Sequence, residues 1–160
     1  MSDPGREILP VDEPGAGEDV VVLLRRQANL FSQLEGFAKR QRMLVVQEDT
    51  KPLLALLAER QKLSIELAYV SERLRPVRTS WNSYRSCLTD IQRDEADDLV
   101  KRMQMSLSRV IESDEEDARA LSVRKQMVRR ELQTSQTRSA AAGMYQSTAA
   151  PAGRRLDEEQ

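Results

Sequence analysis

The chain has 160 residues, of which 32% are charged and only 4% aromatic, with no histidine, one cysteine and a formal net charge of −1. These values fit a single domain. They exclude an aromatic-rich sandwich or barrel core, histidine-based acid–base or metal chemistry, an intramolecular disulfide and a cysteine zinc site.

Glycine and proline cluster at the two ends. Residues 1–19 hold six acids and one base, together with Gly5, Gly15, Gly17, Pro4, Pro10 and Pro14. This composition predicts a disordered acidic tail without the charged-then-apolar layout of a secretory signal. Residues 20–137 keep only Gly36, Pro52 and Pro76 as breakers and read as a helical bundle. Residues 138–160 read as a flexible C-terminal tail.

The first helix is predicted over 20–47. Leu23, Leu30, Phe37 and Leu44 recur every seven residues, with Leu34 between and Gln27 and Gln41 at intervening seam positions. A heptad stripe with polar interruptions packs as a coiled coil, and the two glutamines read as register-setting. Asp19, just before the stripe, is a capping type. The second helix is predicted over 51–75, with Leu53, Leu56, Leu63, Leu67, Val70 and Leu74 at alternating spacings of three and four. Pro52 suits its first turn and Pro76 stops or kinks it. The short link between these helices makes them antiparallel neighbours. Arg60 interrupts the second stripe. It either reaches a carboxylate on a facing helix or runs its stem along the seam with its head in water.

Residues 75–87, with Trp81, Tyr84 and Cys87, are the least regular part of the middle and turn the chain back. A third helix is predicted over 92–137. Ala96, Leu99, Val100, Met103, Leu107, Val110 and Ile111 share a face, and Ala118, Leu121, Lys125, Val128 and Leu132 share one further on. Between them lies ESDEED, 112–117, with five acids in six residues. It lacks the glycine and alternating ligands of a calcium loop and reads as a solvated helix face. The third helix either runs through this stretch or breaks there; the absence of Gly and Pro from 92–137 favours continuity. The fold class is therefore all-α, an elongated antiparallel bundle of three long helices with coiled-coil-like packing.

No catalytic constellation emerges. Cys87 has no histidine to activate it and reads as a small hydrophobe. The serines and threonines sit in no nucleophile elbow or phosphate loop. The expectation is a non-enzyme without cofactor or metal. The near-neutral charge gives no global field toward nucleic acid. The bases at 119–130 are offset by acids just upstream. No apolar run approaches the ~18–20 residues of a membrane span, so the chain is expected to be cytoplasmic and not membrane-inserted. Met103 and Met105 either fill gaps between helices or belong to a surface that repacks around apolar partners. The third helix is longer than the other two, so part of its stripe lacks a partner within one chain. A groove including Met103, Leu107, Met127 and Leu132 is the candidate binding surface.

The order of features resembles the FlgN-type (FlgN/FliT-like) flagellar export chaperones. A heptad-rich first helix and a short polar linker with Asp are followed by the leucine-rich run EDTKPLLALLAERQKLSIELAYVSERLRPVR at 48–78. Trp81, a long final helix with an acid- and arginine-rich middle, and Tyr145 in AAAGMYQ complete the pattern over about 20–146. The resemblance implies an export chaperone whose cargo is an amphipathic terminal helix of a flagellar hook-associated or filament protein, which the groove on the third helix would accept. It also implies Tyr145 as a docking anchor for the export gate. A coiled-coil adaptor or self-associating scaffold is the competing reading, and monomer and homodimer both remain open.

Overall fold

The structure is a computed structural model that describes residues 7–148, with side chains through residue 146. Five helices follow in order: α1 (Ala16–Gln47), α2 (Thr50–Arg73), α3 (Arg75–Thr79), α4 (Trp81–Cys87) and α5 (Asp90–Thr148). No strand occurs among the described residues, so the all-α expectation holds. The three-helix expectation is revised, because two short helices stand where an irregular turn was expected. The chain divides into two compact units, with residues up to Ala118 in the first and those from Arg119 in the second; α5 contributes to both.

Within the first unit the cross-helix pairs fix the directions. Arg26 pairs with Glu66 and Gln41 with Arg60, so residue numbers fall along α2 as they rise along α1, and these helices are antiparallel. Arg25 pairs with Glu95, Glu35 with Ser106 and Gln41 with Asp117. Numbers rise together, so α5 runs parallel to α1 in this unit.

The stripes bury in part: Leu23, Leu30 and Leu34 of the α1 heptad pattern are buried, whereas Phe37 and Leu44, like Leu53 and Leu67 of α2, are half-buried. Val20, Leu24, Leu34, Ala38, Gln41 and Val45 are buried along α1, and Leu56, Leu63 and Val70 along α2. Val77 of α3 is buried one heptad beyond Val70, so the seam continues past the break at Pro76. On α5, Ala96, Leu99, Met103 and Val110 close the core. Steps of three, four, seven and ten residues keep all these side chains on one side of each helix.

The helix ends have local causes. Gly15 occupies the α1 N-cap at φ 92°, a left-handed geometry that glycine adopts without a Cβ penalty. Asp19 therefore lies within the first turn rather than capping it, where its charge complements the helix dipole. At the other end Glu48 takes φ 59°. The Glu48 N–H bonds to the Val45 carbonyl at 3.3 Å and the Asp49 N–H to that of Leu44 at 3.2 Å, which is the Schellman pattern. Pro76 falls in the first turn of α3, where its missing N–H is harmless. α5 opens on a reciprocal capping box: the Gln92 N–H donates to Thr89 Oγ1 at 3.2 Å, and the Thr89 N–H donates to Gln92 Oε1 at 3.0 Å.

The ends differ from the tail expectations. Ile8 and Val11 pack against the core, and the Tyr84 hydroxyl donates to the Leu9 carbonyl at 3.4 Å. The apolar side chains of ILPV hold this stretch despite its prolines. Residues 138–148 are helical, in keeping with their alanines. The expected tails at 1–6 and 149–160 lie outside the described residues.

Candidate binding site

The first unit carries an apolar groove of about 520 Å³. Leu24 and Phe31 of α1, Val77 of α3, Trp81 of α4, and Met103 and Leu107 of α5 line it. Four helices meet here for a sequence reason. Pro76 ends α2, the two short helices carry Val77 and Trp81 over the α1 seam, and the capping box at Thr89 starts α5 back alongside. Arg78, Gln27 and Gln104 supply the groove's polar side chains. The first two are held in place: Arg78 Nη2 donates to the Ser71 carbonyl and Gln27 Nε2 donates to Ser71 Oγ, each at 3.0 Å. An apolar cleft with a few fixed polar groups suits an apolar side chain or helix face from a partner.

The structure brings Met103 and Leu107 together in this groove. Met103 is a buried core residue whose surface forms part of the groove, whereas Leu107 is 41% exposed. Met127 and Leu132 belong to the second unit, where they are 56% and 59% exposed. Tyr145, expected in a flexible segment, lies on helix α5 and is 77% exposed. Trp81, Phe31 and Val77 were not among the groove residues expected from sequence. The signal of Val77 and Trp81 was faint, since helices of five and seven residues are too short to show a hydrophobic period, whereas Phe31 lies on the long α1 stripe, whose period does not say which element faces it.

The acidic run is the largest departure at the level of side chains. It is not wholly a solvated face: α5 passes unbroken through 112–117, Glu112 and Glu115 stay exposed, and Asp114, Glu116 and Asp117 pair with side chains of α1 and α2, Asp117 alone being buried. Arg60 Nη1 and Nη2 donate to the two carboxylate oxygens of Asp114 at 2.7 and 2.5 Å. Arg60 Nη1 also donates to Gln41 Oε1 at 2.6 Å. Gln41 Nε2 donates to Asp117 Oδ2 at 3.0 Å, and Asp117 is buried. Glu116 pairs with Arg42. Gln41, Arg60, Asp114 and Asp117 thus form one polar layer across α1, α2 and α5. Of the alternatives for Arg60, the carboxylate on a facing helix is the one observed. Such a layer fixes register, because a slip of one turn would leave its members unpaired.

Other ion pairs tie α5 to its neighbours. Ser106 Oγ donates to Glu35 at 2.9 Å and holds that carboxyl below its usual range, with Arg109 and Lys39 adding to the effect and burial opposing it. Arg85 lowers Asp97 and Arg25 lowers Glu95 in the same way. Among the described residues, no group of three or more His, Cys, Asp or Glu is placed to hold a metal ion. No helix among them is long and apolar enough to cross a membrane.

Comparison of the chain with protein-family models, with curated proteins and with solved structures finds no match.

Proposed function

We propose that this protein is a non-catalytic, cytoplasmic export chaperone that holds an amphipathic terminal helix of a flagellar hook-associated or filament subunit before secretion. The observation that carries the reading is the groove lined by Phe31, Trp81, Met103 and Leu107. It is apolar and open to solvent, and the buried Leu24, Val77 and Met103 form part of its lining. A terminal segment that is disordered before assembly would fold into it and lose its exposed apolar face. Leu132 offers a second apolar contact on the other unit, with Met127 on a different face of α5, and Tyr145 is the proposed anchor for the export gate. The order of sequence features supports the flagellar setting.

The test is titration of the full chain with terminal peptides of hook-associated and filament subunits. Leu107→Glu is expected to abolish binding and Leu132→Glu to weaken it, while thermal melting stays cooperative. Affinity that survives Leu107→Glu contradicts the groove assignment. A homodimer that seals the groove would favour the scaffold reading.

A further inference from the structure

Leu121, Val128 and Leu132 are exposed on α5 in the second unit. With Ala118 and Lys125 they keep to steps of three and four residues, so they form one narrow apolar stripe. The charge around this stripe is predominantly positive. Residues 119–148 contain six bases and a single acid, Glu131. Lys125 interrupts the stripe and Arg129 borders it beside Val128.

Three occupants can be weighed. A second copy laid stripe to stripe would set like charges against each other, which is destabilising at the flanks of a helix pair. Its acidic run offers only partial relief, because three of its five acids, Asp114, Glu116 and Asp117, already bind Arg60, Arg42 and Gln41. A membrane surface is a poor fit, since interfacial helices present a broad face with Trp, Phe and Leu. Here the stripe is one residue wide, and no aromatic occurs between 119 and 144. A partner helix with acidic flanks satisfies both the apolar stripe and the charge.

We infer that residues 119–132 dock an acidic amphipathic helix of a partner protein. Its apolar seam covers Leu121, Val128 and Leu132, and its flanking carboxylates meet Lys125 and Arg129. The inference rests on the helix-docking reading given above and adds the chemistry of the partner. Association should be fast and salt-sensitive, because complementary charge steers encounter and is screened over a Debye length of about 8 Å at physiological salt.

The experiment uses the full chain and three synthetic peptides with the same leucine heptad seam and Glu, Gln or Lys at the flanks. Binding is read by fluorescence anisotropy at low and high salt. The Glu-flanked peptide is expected to bind about tenfold tighter than the Gln-flanked one at low salt, with the gap narrowing as salt rises. The double variant Lys125→Glu/Arg129→Glu, whose changed residues lie outside the core, should shift the preference to the Lys-flanked peptide. Equal binding of all three peptides overturns the inference and leaves the docking reading standing. Glu-peptide binding that is lost in Leu107→Glu but kept in the double variant also overturns it, because the peptide then sits in the groove. Binding of none of the three overturns it too, and the docking reading is then judged by the subunit peptides alone. Two further results overturn it: a homodimer dispersed by Val128→Glu, or retention on vesicles of equal parts phosphatidylcholine and phosphatidylserine without peptide binding.

Discussion

Leu63 and Leu67 sit on the same stripe of α2, yet Leu63 is buried and Leu67 only partly so. Leu63→Ala should therefore cost about 2–4 kcal/mol, and Leu67→Ala clearly less. Urea denaturation of the two variants checks the order. Asp117 presents a different case. Removing its carboxylate in Asp117→Ala strands the buried Gln41 amide, at a cost of about 1–3 kcal/mol. Replacing Arg60 and Asp114 together by Met and Leu leaves no charge unpaired but strands Gln41 Oε1, so it should cost about 1–3 kcal/mol. Either single replacement should destabilise more than the pair, and the double-mutant cycle measures that coupling. Sequence pointed to half of this layer. Arg60 and Gln41 stood out as polar residues in apolar seams. Their acidic partners looked like surface, because five acids in six residues carry no mark of facing inward and the pairing spans more than fifty residues of chain.

At the scale of elements, α1, α2 and the start of α5 were legible because long stripes with steps of three and four leave little choice of structure. The helices α3 and α4 were not, and with them went most of the groove's far wall. The capping box at Thr89 was also overlooked, although Thr-x-x-Gln is present in the sequence at 89–92. Thr89→Ala removes one arm of that box and is expected to cost about 1 kcal/mol. The loss should appear first as faster amide exchange at the first turn of α5. Undiminished protection there would mean that the core alone holds this end of the helix.

For the molecule as a whole, the division into two units has a direct consequence. Among the described residues every buried side chain lies at or before Asp117. A chain ending at Ala118 should therefore fold and melt cooperatively at nearly the temperature of the full chain. A large fall in Tm would show that residues beyond 118 stabilise the first unit. Acid stability follows from the lowered carboxyls of Glu35, Asp97 and Glu95. Each binds its proton less readily when folded, so its contribution is complete above the unfolded carboxyl pKa and disappears as pH falls through the folded value. The midpoint of urea unfolding should therefore decline below the ordinary carboxyl range, and Glu35→Gln should flatten part of that decline. The effect is modest, because two of the three pairs lie on the surface, where solvent screens them.

The groove of the first unit is proposed to receive a partner helix, and the chain carries its own reporter. Trp81 is the only tryptophan and lines the groove. Its emission, followed while the full chain is titrated with a terminal helix peptide of a hook-associated subunit, tests the claim directly. A saturable blue shift that disappears in Leu107→Glu is the predicted result. Binding detected by anisotropy with no change in Trp81 emission would place the partner elsewhere and contradict the account.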